Sequence, residues 1–157
     1  MSPEATQTRL IIPALAPLYG ALSRLSYPMI RFFAGLFLVP HGAQKLFGWF
    51  GGGGLEGTAQ GFATHLGLEP GMFFALLVGA TEFFGGLLLA VGFLTRPVAV
   101  AATILLAVAA FMVHLPNGFF VRDGGYEFAL LWGLITLAIA FRGGGQFSVD
   151  RAIGREF

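Results

Sequence analysis

The chain is 157 residues long, of which 56% are hydrophobic, 15% aromatic and only 11% charged, against about 25% charged in soluble domains. A soluble fold of this size needs a polar skin that such a composition cannot supply, so lipid is the expected solvent. The net charge of +1 speaks against nucleic acid as a partner. The lack of cysteine excludes disulfides, thiol redox chemistry, iron–sulfur clusters and thiolate zinc sites from this chain.

Residues 1–8 are polar, with Glu4 and no basic residue among them, so they do not read as a cleaved signal. Over residues 14–26, Leu15, Leu18, Tyr19, Leu22 and Leu25 recur at helical spacing, with Ser23 and Arg24 on the other side. This predicts a short amphipathic helix lying on the membrane surface, with a loosely ordered tail as the alternative. Residues 1–27 are thus expected to form an amino-terminal segment apart from the membrane domain.

Four segments are candidates for the roughly 20 apolar residues that a membrane-spanning helix needs. Residues 28–49 start at Pro28 and carry Arg31, His41 and Lys45; residues 71–94 carry one charge, Glu82. Residues 97–115 are uncharged until His114, and the shorter 126–142 has Glu127 at its start. The tight turn around Thr95, Arg96 and Pro97 makes the second and third segments antiparallel neighbours. The longest connection, residues 50–70, contains a predicted interfacial helix over 58–66. Its Gly52, Gly54 and Gly57 fit a dinucleotide-binding glycine pattern, but no strand precedes them, so the match carries no weight.

Basic residues set the orientation. Arg9, Arg24, Arg31, Arg96, Arg142, Arg151 and Arg155 all fall on one side of four crossings, and only Lys45 and Arg122 on the other. Both termini are therefore expected in the cytoplasm, in a bacterial-type inner membrane, with residues 143–157 as a cytoplasmic tail. The expected fold is all-α: an integral membrane four-helix bundle, with the amino-terminal interfacial helix and the loop helix outside it.

Small residues mark where membrane helices approach closely. They recur at Ala75, Gly79, Gly86 and Ala90 around Glu82, and at Ala99, Thr103, Ala107 and Ala110 before His114. Ala129, Gly133, Thr136 and Ala140 follow Tyr126, and Ala34, Leu38, His41 and Lys45 form the matching stripe on the first helix. The ionisable groups then lie on packing faces, where intramembrane charges are costly and point to function. His41, Lys45, Glu82, His114 and Glu127 are expected to line one pocket opening outward.

These residues also carry a resemblance. Arg31, Gly35, His41-Gly42, Lys45-Leu46 and Gly48-Trp49 resemble the first conserved stretch of the DoxX family of small membrane proteins. Glu82, Gly85-Gly86, Gly92 and Thr95-Arg96 resemble its second, and His114-Leu115-Pro116-Asn117-Gly118, Glu127, the glycine-rich 142–145 stretch and Ser148-Val149-Asp150 follow in order. The resemblance covers roughly residues 28–150. It implies a four-helix bundle and an association with oxidoreductase systems; the related DoxD type is the membrane subunit of thiosulfate:quinone oxidoreductases.

On that basis Glu82 and His41 are the expected catalytic positions. Glu82 would act as a proton carrier for an isoprenoid quinone, and His41 or Lys45 as a hydrogen-bond donor to a quinone carbonyl. Pro40, which leaves the Leu36 carbonyl without its helical partner, permits a kink beside them. His41, Lys45, Glu82, His114 and Glu127 are the expected cofactor-binding set. The bland readings are a structural carboxyl at Glu82, a packing role for His41 and interfacial snorkelling by Lys45. Haem ligation by His41 and His114 is disfavoured, and no metal site is expected. His65 reads as exposed, and Arg31 and Arg96 as anchors to headgroups, with neutralisation of an inward acid as an alternative for Arg31.

No nucleophile with an adjacent base appears, so hydrolase chemistry has no support. The leading expectation is an accessory or quinone-interacting subunit acting with a partner membrane protein or oxidoreductase complex. A purely structural subunit is the first alternative and a small-solute carrier or channel the second.

Overall fold

The computed structural model describes residues 9–157, which are helical wherever they are regular and contain no strand. Residues 1–8, expected to form a polar lead, lie outside the described residues. The helices are α1 (Ala16–Phe47), α2 (Gly54–Leu66), α3 (Gly71–Val91), α4 (Thr95–Asn117), α5 (Glu127–Arg142) and α6 (Val149–Ala152). Short 3₁₀ turns occupy Pro13–Leu15, Trp49–Gly51 and Val121–Asp123.

Among the described residues, three helices are long and apolar enough to cross a membrane: Pro13–Phe47, Gly71–Val91 and Thr95–Asn117. Helix α5 has 16 residues, about 24 Å, short of a hydrocarbon core of about 30 Å. α1 and α3 are antiparallel, because Arg31 reaches the end of α3 while Lys45 reaches its middle. α4 and α5 are antiparallel for the same kind of reason: Arg96 meets the last carbonyls of α5, and His114 meets the loop that enters it. Ala34, Leu89, Ala99, Ile139 and Ala140 join the two pairs in one buried cluster.

The amino-terminal reading needs correction. There is no separate helix over 14–26: α1 runs unbroken for 32 residues, with Pro28 and Pro40 inside it. Proline removes one helical hydrogen bond, and helix-compatible sequence on both sides lets α1 continue through each position. α1 is then about 48 Å long, more than a membrane core requires. The stretch from Pro28 to Phe47 accounts for about 30 Å of it, so the Ala16–Tyr27 part continues beyond that span.

The stripe expected on α3 is buried throughout: Ala75, Gly79, Glu82, Gly86 and Ala90 all face inward. On α1 the stripe differs from expectation. Arg31, Ala34, Gly35, Leu38, Gly42 and Ala43 are buried, and His41 is exposed. Gly35 and Gly42 decide this face. A Cβ on Gly35 would overlap the Gly86 carbonyl and the Ala90 amide, and one on Gly42 would overlap the Phe83 amide. The backbones of α1 and α3 therefore touch along the glycines, and the neighbouring His41 turns away. Between α4 and α5, the Thr103 hydroxyl donates to the Thr136 hydroxyl (2.9 Å).

Residues 143–157 are not a free tail. Gly143, Gly144, Ser148 and Asp150 are buried, and Asp150 holds the start of α4. That cap explains why α4 begins at Thr95, two residues before the position expected from Pro97. Glycine in left-handed conformation stops three helices, at Gly48 (φ 71°) after α1, Gly67 (φ 63°) after α2 and Gly92 (φ 74°) after α3.

Candidate functional site: the Lys45–Glu82 pair

Lys45 stands in the last turn of α1, three residues before the Gly48 cap. Glu82 lies in a π-helical turn, Thr81–Gly85, that interrupts α3. Such a turn adds a residue to the helix and occurs often at functional sites. Lys45 Nζ is 2.6 Å from Glu82 Oε2, with 25% of the lysine side chain and 7% of the glutamate side chain exposed. Glu82 thus sits almost wholly inside the helix pair, whereas Lys45 keeps a route to the surface. The Thr58 hydroxyl donates to the Lys45 carbonyl (3.4 Å), which ties α2 to this end of α1.

Aromatic side chains adjoin the pair. Phe83, next to Glu82 in the π turn, meets Phe47 edge-on at 5.1 Å between ring centroids, and Phe84 at 5.1 Å. Trp49 packs on Phe47 (5.2 Å) and reaches Phe83 (6.4 Å). Phe47, Trp49 and Phe84 also present large exposed surfaces. The site combines a nearly buried carboxylate, a partly exposed lysine and an accessible aromatic wall. Chemically, it can hold a proton, donate hydrogen bonds and cover a flat apolar ring.

The other expected site residues fall elsewhere. His41 is exposed and has no hydrogen-bond partner among the described residues. His114 lies at the end of a second π-helical stretch, Ala109–His114, and its Nδ1 pairs with the Gly124 carbonyl at 2.7 Å. Glu127 accepts from the Val121 amide (3.1 Å). His114 and Glu127 therefore fasten the loop between α4 and α5, and their hydrogen bonds do not reach the Lys45–Glu82 pair. His65 is exposed and bonds locally to Thr64 and Gly61. Among the described residues no cluster of three or more His, Asp or Glu could hold a metal.

At the opposite end of the helices lies a constellation that sequence reasoning missed. Arg31 is only 2% exposed. Its Nη1 donates to the Leu89 (2.6 Å) and Ala90 (2.7 Å) carbonyls at the end of α3, and its Nη2 to the Phe147 carbonyl (2.5 Å). It is neither a headgroup anchor nor the partner of an inward acid, but a cap on a neighbouring helix. Arg96 does the same for α5, donating to Ala140 (3.0 Å) and Phe141 (2.9 Å). A cation at a helix carboxyl end satisfies orphan carbonyls and complements the dipole. The signal was available in the spacing of Arg31 and Arg96 from the helix ends, but only the fold shows whose ends they meet.

The DoxX family's sequence model matches residues 28–115. The chain belongs to the DoxX family. The matched span contains Arg31, Lys45, Glu82 and Thr95, and stops before Glu127 and Asp150, so the ion pair lies within the part shared with other DoxX proteins. A protein of Haemophilus influenzae described as uncharacterized is 28% identical over 138 residues, covering 88% of this chain and 89% of its own length. A second uncharacterized protein of the same organism is 36% identical over 78 residues, covering 48% of this chain. The matched region spans 58% of that second relative. No solved structure matches the chain.

Proposed function

We propose that this DoxX protein is a quinone-interacting accessory subunit of a membrane electron-transfer system, with Glu82 as its proton-handling group. The observation that carries the reading is the Lys45–Glu82 pair, set on a π turn beside the wall of Phe47, Trp49 and Phe83. An ionisable pair within membrane-spanning helices is costly, which makes it a functional candidate by default.

The residues fit a quinone. Lys45 retains donors beyond the one facing Glu82, since an ammonium has three, and it is partly exposed. Glu82 can exchange a proton with a ligand and, through Lys45, with the surface. Phe47, Trp49 and Phe84 offer exposed aromatic surface for the ring and its apolar chain. A bound quinone would supply two-electron, two-proton chemistry; Lys45 would orient it and Glu82 would hold one of the two protons. The chain has no cysteine, so the electrons come from a partner oxidoreductase in this reading.

The proposed topology has α5 as a fourth crossing, with its last carbonyls satisfied by Arg96. Arg24, Arg31, Arg96 and Arg142 then lie on the cytoplasmic side of an inner membrane, following the positive-inside rule. The test is quinone-coupled turnover in membranes carrying Glu82→Gln. A large fall with normal amounts of folded protein supports the reading, and unchanged turnover overturns it.

A purely structural subunit is the second reading. Exposed Phe32, Phe33 and Phe37 lead through Trp132 to Phe128 in one chain of ring contacts, a surface suited to another membrane helix. It requires sensitivity on that face and tolerance at Glu82.

A further inference from the structure

Where α1 passes Pro28, the carboxyl end of α5 and the chain after it come alongside. Ser23, Arg24, Tyr27 and Pro28 of α1 enclose a cleft of about 220 Å³ with Arg142 and Gln146. Two of the six lining residues are arginines. Among the described residues neither Arg24 nor Arg142 has a carboxylate within salt-bridge distance; the ion pairs there are Lys45–Glu82, Arg96–Glu156 and Arg122–Asp123.

The cleft is held open by a built wall. The Arg142 guanidinium lies over the Tyr27 ring, 4.3 Å from its centroid, and the Tyr27 hydroxyl donates to the Gly143 carbonyl. Arg142 is thereby fixed by its flat face, which leaves its N–H edge for a ligand. Arginine forks match the oxygens of a phosphate. Gln146 adds an amide whose hydrogen-bonding capacity no described residue takes up.

Depth selects the ligand. Counting from Phe47, residues down to Pro28 span about 30 Å of helix, the thickness of a hydrocarbon core. Ser23 to Tyr27 then stand just beyond it, at headgroup level. Leu22, Leu25 and Met29 on α1, and Phe141 beside Arg142, present large exposed apolar surfaces around this level. A phosphate with acyl chains attached satisfies both sets of residues, and a free anion satisfies only the arginines.

We propose that this cleft binds the phosphate headgroup of an anionic phospholipid, with Arg24 and Arg142 as its ligands. The site lies at the other end of the helices from Lys45–Glu82 and is independent of the quinone reading.

The test uses the full chain, purified and placed in nanodiscs of mixed phosphatidylglycerol and phosphatidylcholine, with retained lipid measured by native mass spectrometry. The wild type is expected to retain phosphatidylglycerol selectively. Arg24→Gln and Arg142→Gln are each expected to lower that selectivity about fivefold, the effect of one basic residue at an anionic surface. Arg142 also packs on Tyr27, so the Arg24→Lys/Arg142→Lys pair serves as a folded control that keeps the charge. It is expected to fall between the wild type and the Gln variants, because lysine keeps the charge but lacks the fork. Arg122→Gln, remote from the cleft, should change nothing. Equal retention of both lipids by the wild type, or unaltered selectivity in Arg24→Gln/Arg142→Gln, overturns the proposal. So does displacement of the retained lipid by millimolar inorganic phosphate, which would make the cleft a site for free anions.

Discussion

The Asp150 carboxylate and Thr95 lie 55 residues apart, yet one carboxylate oxygen accepts both the Thr95 amide (2.9 Å) and the Thr95 hydroxyl (2.6 Å). The other oxygen takes the Leu94 amide (2.9 Å), and the Asp150 amide itself donates to the Gly92 carbonyl (3.0 Å). A side chain from the end of the chain thus caps α4 and fixes the turn that joins it to α3. Asp150 is 1% exposed and Thr95 fully buried, so nothing in the solvent can replace these bonds.

Asp150→Ala is therefore expected to destabilise the protein by about 3 kcal/mol, since it orphans buried donors that face a charged acceptor. Thermal unfolding in detergent is the measurement. Truncation before Phe147 should be at least as damaging, because it also removes the carbonyl that Arg31 binds. A truncated chain as stable as the whole one would show that the segment is an unneeded tail.

Arg31→Lys should fail to rescue Arg31. One guanidinium serves three carbonyls on two chain segments, and a lysine lacks the fork to do so. Both Arg31→Lys and Arg31→Met are expected to lose about 2–4 kcal/mol, as large losses follow the breaking of a buried polar network. Equal stability of Arg31→Lys and the wild type would contradict this role.

The helix contact gives a paired prediction. Gly35→Ala and Gly42→Ala place a methyl against backbone across the α1–α3 contact and should cost about 1–3 kcal/mol each through overpacking. Gly61→Ala, inside α2 with nothing within 4 Å of its new methyl, should be neutral or stabilising by up to about 1 kcal/mol. Thermal midpoints of the three variants, compared side by side, check the contrast.

The ion pair should respond asymmetrically. Lys45→Met leaves a nearly buried carboxylate without its partner, expected to cost about 3–5 kcal/mol if the charge persists. Glu82→Gln leaves a lysine that is 25% exposed and can extend to the interface, so the loss should be smaller. The Lys45→Met/Glu82→Gln variant should recover most of the stability and none of the activity. Unfolding midpoints for the three variants separate a structural from a functional pair.

Much of this fold was legible because membrane helices leave simple traces. Apolar length located α3 and α4, and the small residues around Glu82 marked a face that is buried from Ala75 to Ala90. The contact of Lys45 with Glu82 fits an antiparallel pair of helices in which the one charge of α3 meets a basic residue of α1 at compatible depth. The rest depended on information that spacing does not hold. Helical periodicity allowed either His41 or Gly42 to face α3, and the close backbone approach at Gly42 decided it. Pro28 looked like a helix start, but a proline inside a continuous helix has the same local sequence. His114 and Glu127 were expected in one pocket with Glu82, yet a loop carbonyl and a loop amide satisfy them, and no pattern of side chains announces that. The role of Asp150 was illegible because its partners lie 55 residues away.

In the proposed function, Lys45 and Glu82 form a ligand site for quinone rather than only a helix clamp. The most direct measurement is isoprenoid quinone per protein after mild-detergent extraction of the full chain from its native membrane. It should be made for the wild type, Glu82→Gln and Trp49→Ala, with folded protein quantified in each. The expected result is near-stoichiometric quinone in the wild type and a several-fold loss in both variants. Quinone absent from the wild type, or retained equally by all three, would contradict the claim and leave the pair as a structural element.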